Sequence, residues 1–162
     1  MNAPYDDAEA FAAALPARGA LLGIDPGERT IGIALCDGGR RIASPLVGLK
    51  KGKFRDNGAV IARLCSENAV AGLVIGLPLN MDGTSGPKAQ AARAFARNLA
   101  GIVDLPILLW DERLSTVAVT RAMIDADTSR RKRAEIVDKV AAAYILQGAI
   151  DRLAALRPDP AP

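Results

Sequence analysis

The chain has 162 residues, 50% of them hydrophobic and only 4% aromatic, a balance that suits one α/β domain with helices packed closely on a buried sheet. It contains no histidine, which excludes the ordinary general base, Ser-His and Cys-His nucleophile pairs and most transition-metal sites, so any catalysis must lean on carboxylates, lysines or hard metal ions. A net charge of +3 and a pI near 9.1 are mildly basic and leave nucleic acid and small anions both open as partners.

Met1 to Ala20 is alanine-rich and carries Asp6, Asp7 and Glu9 against Arg18, a sum of −2 that leaves the rest of the chain at +5. Between Pro4 and Pro16 this stretch forms either a short helix or a loose arm, and no function is assigned to it. It lacks the basic and apolar regions of a signal peptide, and no run in the chain approaches the roughly 18 apolar residues of a membrane span, so a cytoplasmic protein without membrane contact is expected.

From Leu21 to Asp25 an apolar run closed by an acid and Pro26-Gly27 predicts a buried strand ending in a turn. Ile31 to Cys36 is a second strand, Asp37-Gly38-Gly39 a hairpin signal, and Arg41 to Leu49 a third strand. After the polar segment Lys50 to Asn57, the spacing of Val60, Ile61, Leu64 and Cys65 predicts a helix. Gly72 to Leu77 is the next buried strand. Thr84 and Ser85 are candidate caps of a helix with Pro87 in its first turn and Ala91, Phe95 and Leu99 on its inner face. Pro106 to Trp110 is the fifth strand, ending at Asp111-Glu112. A short helix over Val117 to Ile124, a charged loop over Asp125 to Arg133 and a long helix from Ala134 to about Leu153 complete the order. The expected organisation is an arm over 1–20, one domain over 21–154 and a frayed tail over 155–162. Cys36 and Cys65 lie in apolar stretches without metal or redox spacing and are expected to pack in the core.

Acids stand at the ends of two strands, Asp25 after the first and Asp111-Glu112 after the fifth. Ligands of open α/β sheets bind beyond the carboxyl ends of parallel strands, and crossover connections would bring these acids to one edge. Crowded carboxylates repel unless a cation joins them, which suits Mg²⁺ or Mn²⁺; acids merely solvated at strand ends are the competing reading. Gly23, Gly27 and Gly32 surround Asp25 at spacings that let backbone approach a phosphate, although a tight Asp-Pro-Gly turn explains them as well.

Gly23-Ile24-Asp25-Pro26-Gly27-Glu28-Arg29-Thr30-Ile31-Gly32-Ile33-Ala34 resembles the opening motif of the YqgF (RuvX) family, whose members are described as Holliday junction resolvases and pre-16S rRNA nucleases. Val74 to Gly83 is similar to the family's central motif and Asp111-Glu112-Arg113-Leu114-Ser115-Thr116 to its most distinctive one. Val137-Asp138-Lys139-Val140-Ala141-Ala142, followed by Ile145-Leu146-Gln147, resembles its C-terminal helix. The motifs occur in order from about Leu21 to Leu153. The resemblance implies a ribonuclease H-like five-stranded mixed sheet flanked by helices, a nuclease activity, and an acidic triad on Asp25, on Glu112 or its neighbour Asp111, and on Asp138. It also places Lys88 and Arg113 near the acidic edge as candidate phosphate contacts.

Such carboxylates would hold two Mg²⁺ or Mn²⁺ ions about 3.5–4 Å apart for in-line phosphodiester displacement. Asn80, Asp82 and Gly83 form a loop that either faces substrate or simply turns the chain. The basic clusters Lys50 to Arg55 and Arg130-Arg131-Lys132-Arg133 are either a solvated surface or a salt-sensitive grip on phosphates. The favoured function is a metal-dependent nuclease maturing the 5′ end of pre-16S rRNA, with a ribosome precursor as partner. The alternatives are a Holliday junction resolvase acting on branched DNA and a non-catalytic nucleic-acid-binding domain; a resolvase must cut two symmetric strands and so argues for a homodimer, whereas RNA end-processing is open to a monomer. An actin-like nucleotide-handling module needs two such lobes, and the chain has room for one.

Overall fold

The computed structural model describes residues 3–114 and 130–157, with side chains in the second segment from Asp138 onward. The short helix expected over 117–124 and the tail over 158–162 lie outside the described residues. Strands β1 (Ala20–Pro26), β2 (Thr30–Cys36), β3 (Ala43–Lys50), β4 (Val70–Leu77) and β5 (Ile107–Asp111) form one sheet in the order β3-β2-β1-β4-β5. β1, β2 and β3 run antiparallel in a meander, whereas β4 and β5 lie parallel to β1, so the sheet is mixed as expected.

Strand alternation sends side chains to two faces, each closed by helices. Leu22, Ile24, Ile31, Ile33, Leu73 and Ile75 meet α2 (Phe54–Glu67) and α3 (Pro87–Ala100) on one face. Leu21, Ala34, Val74, Leu108 and Trp110 meet α1 (Ala8–Ala14) and the long α4 (Arg130–Leu156) on the other. Cys36 and Cys65 are buried in these cores. Burial pushes both thiols up, Cys65 to about 11, so they remain protonated and inert near neutral pH.

Several local readings are corrected. Of the two readings of the N-terminal stretch the short helix is the one present, docked rather than loose: Asp7 accepts the Glu9 amide as its cap, Phe11 is fully buried, and Tyr5 exchanges backbone hydrogen bonds with Ile107 and Leu109 on β5. The third strand begins at Ala43 because the Asp37 carboxylate accepts the Arg41 amide and Arg40 turns left-handed, which lengthens the hairpin turn. α2 begins at Phe54, and the Asn57 side chain ties it to the loop through Lys50 O and the Gly52 amide. The cap of α3 is Gly86, since the Thr84 hydroxyl is bonded to Asp82. Its buried stripe is Ala89, Ala92, Ala96 and Leu99; Ala91 is exposed and Phe95 is half-buried edge-on to Phe54. α4 already includes Arg130 to Arg133, where a charged loop was expected, as arginine and lysine propagate a helix well.

Candidate active site

The face of the sheet under α4 is floored by glycines along the strand ends. A β-carbon on Gly23 would stand 2.7 Å from Cβ of Leu146 and 2.9 Å from the Ala142 carbonyl oxygen, and one on Gly32 would collide with the backbone of Asp138. Gly23 and Gly32 therefore admit the helix, not a phosphate. Ala141 and Ala142, buried on the same helix, allow this close approach from the other side.

Gly32 is the cross-strand partner of Asp25, so seating Asp138 over Gly32 brings it beside Asp25. The Asp138 carboxylate also faces the turn after β1, where a β-carbon on Gly27 would lie 3.1 Å from its Oδ2. On the other side, Ile24 pairs with Ile75, so Gly76 follows on β4 next to Asp25. Here the Glu112 carboxylate occupies the space a side chain would need, 2.7 Å from the β-carbon position of Gly76. Asp25, at 4% exposure, thus lies between the two, at the carboxyl ends of β1 and β4. None of the three carboxylates is without an interacting neighbour.

Asp111 points elsewhere. Its carboxylate accepts from Arg113 Nη2 at 2.8 Å and Nε at 3.1 Å, and from the Arg113 amide at 3.0 Å. As the cross-strand partner of Leu77 it belongs to the α2–α3 face, opposite Gly76 and Glu112. The Arg113 guanidinium holds the Asp111 carboxyl below the usual carboxylate range. The pairing therefore contributes fully above the ordinary aspartate pKa and is lost as pH falls through the lowered value.

Arg113 also donates to the Met81 carbonyl at 3.2 Å and lies over Gly83, tethering the β4–α3 loop. Within that loop Asp82 accepts the Thr84 hydroxyl at 2.6 Å and amide at 3.0 Å, and Asn80 donates to Thr84 Oγ1. Lys88, in the first turn of α3, stands 3.9 Å from Glu28 in the β1–β2 turn; both are well exposed, so the pair is weak and Lys88 is accessible at the acidic edge. The backbone of Arg130, Arg131, Lys132 and Arg133 opens α4 at the end that carries Asp138, while their side chains lie outside the described residues. Sequence reasoning missed Gly76 as the seat of Glu112, although a glycine beside an acid-bearing strand end was visible in the central motif.

A family model described as RuvX, Holliday junction resolvase, matches residues 19–152. The chain belongs to the RuvX family. Relatives of this RuvX chain bearing the name "Putative pre-16S rRNA nuclease" include one from Cereibacter sphaeroides, 56% identical over 149 residues, which are 92% of this chain and 93% of the relative. Another, from Rhodobacter capsulatus, is 58% identical over 146 residues, 90% and 92% of the respective chains. Among solved structures, Thermus thermophilus RuvC in complex with a Holliday junction substrate aligns at a TM-score of 0.52 and 13% identity, covering 82% of this chain and 94% of that one. A second structure of RuvC from the same organism gives 0.51 at 14% identity, over 83% and 96%. These neighbours place the RuvX chain in the ribonuclease H-like fold.

Proposed function

We propose that this RuvX chain is a cytoplasmic, metal-dependent nuclease that hydrolyses phosphodiester bonds of precursor 16S rRNA at its 5′ end, in a ribosome precursor. The observation that carries this reading is the glycine floor that lets Asp25, Glu112 and Asp138 share one edge of the sheet. Three carboxylates offer hard oxygen donors that fit Mg²⁺ or Mn²⁺ and no softer metal. Among the described residues no three acid or thiol side chains already form a closed ligand group, so the fit rests on donor chemistry and on the shared edge.

Asp25, Glu112 and Asp138 would hold the ions; Asp111, turned away and neutralised by Arg113, would not. Bound ions supply activation of water and stabilisation of the leaving oxygen in an in-line displacement. The protein contributes a buried carboxylate fixed by strand and helix, so little reorganisation accompanies reaction. Lys88 reaches the edge as a point charge for substrate phosphate, and Arg113 holds the 80–84 loop beside it. No helix among the described residues is long and apolar enough to cross a membrane.

The test is Mn²⁺-dependent cleavage by purified protein of a precursor rRNA fragment beside a labelled four-way DNA junction. Asp25→Asn and Glu112→Gln are expected to lose cleavage and the thermal stabilisation given by Mn²⁺, with circular dichroism unchanged, whereas Asp111→Asn keeps both. Equal loss in Asp111→Asn would overturn the assignment of Glu112. The family description supports a second substrate, and cutting of the junction in preference to the RNA would select it.

A further inference from the structure

The opposite pole of the molecule carries a concavity of about 580 Å³ at the start of β1 and the end of α4, away from the acids at the other ends of these elements. Its walls are apolar, with Ala13, Leu15 and Pro16 from the end of α1 and Leu153 and Leu156 from α4; two arginines, Arg40 and Arg157, complete them. Volume and lining match a small-molecule site, where an apolar wall surrounds few polar groups.

Arg40 is the unusual member. It is only 9% exposed and sits at φ 55°, a left-handed position where glycine would be unstrained. Its Nε donates to the Gly19 carbonyl at 2.8 Å and its Nη2 to the Pro16 carbonyl at 2.9 Å. These bonds hold the guanidinium in place and leave its charge uncompensated, for among the described residues no carboxylate pairs with Arg40 or with Arg157. Burial lowers the affinity of Arg40 for its proton, the neighbouring Cys36 opposes this in part, and the nearby Arg157 charge adds to it. Two like charges converging on an apolar hollow are stabilised by an anion that spans both.

We infer that this concavity binds a small amphipathic anion, a carboxylate or phosphate ester on an apolar body, with its head on Arg40 and Arg157 and its tail against Leu15, Leu153 and Leu156. A nucleic-acid strand does not fit, because an apolar wall cannot solvate successive phosphates.

Octanoate, below its micellar concentration, is titrated calorimetrically into the full chain at low salt, beside 1-octanol and inorganic phosphate. Octanoate is expected to bind at least about tenfold more tightly than either, since neither tail nor charge suffices alone, and Arg157→Ala is expected to weaken it by about tenfold or more. Arg157 is exposed at the helix end, so this variant keeps its fold and its RNA cleavage. Arg40→Met weakens octanoate similarly and also lowers the melting temperature by loosening the arm. Octanoate no tighter than octanol, phosphate as tight as octanoate, or unchanged octanoate affinity in Arg157→Ala would each overturn the site.

Discussion

At the residue scale the site depends on β-carbons that are absent. Gly32 illustrates this: the Asp138 backbone occupies the volume of any side chain there. Gly32→Ala is expected to push α4 off the sheet, cost about 1–3 kcal/mol of overpacking, and separate Asp138 from Asp25. Urea unfolding measures the first effect, and loss of Mn²⁺-induced thermal stabilisation the second. A variant with wild-type stability and Mn²⁺ response would remove the glycine floor from the mechanism. That Asp25 closes an apolar strand was legible as a local pattern, whereas Asp138 was named through the resemblance of its helix motif. Which of Asp111 and Glu112 lies on the Asp25 side was not legible, because it follows from the Leu77–Asp111 register and the contact of Glu112 with Gly76.

At the element scale α4 and α1 close the same core from neighbouring positions. The family match begins at residue 19, yet α1 inserts Phe11, fully buried, beneath α4 and pairs Tyr5 with β5. Phe11→Ala is therefore expected to destabilise the domain by about 3–5 kcal/mol, read as a lower urea midpoint with an unchanged slope. A change within about 0.5 kcal/mol, the range of ordinary surface substitutions, would return the segment to a loose arm. Its alanine-rich composition hid this docking, since alanine favours a helix but marks no face. The same cause rotated the expected face of α3: among so many alanines, Phe95 drew the stripe toward itself, while contact with the sheet selected the small residues.

At the scale of the whole molecule, the acidic edge and the arginine-lined concavity lie at opposite ends of β1 and α4, so the two proposed sites are separate. The acidic edge needs a positive surround to hold a polyanion, and Arg130 to Arg133, at the α4 end bearing Asp138, are proposed to supply it. Replacing all four by serine is expected to weaken binding to every RNA sequence alike. The plot of log K against log salt should become shallower by up to about 0.7 per lost contact on a single strand and about 0.9 on a duplex. An unchanged slope would assign these residues to a solvated surface. The succession of strands and helices along the chain and the opening meander were determined by sequence alone, because apolar period and turn residues are encoded within short windows. The docking of the arm, the depth of α4 on its glycines and the placing of Asp25, Glu112 and Asp138 along one edge of the sheet were decided only by tertiary structure. Each depends on which surfaces remote in the chain fit when brought together, and close packing, not local propensity, selects that fit.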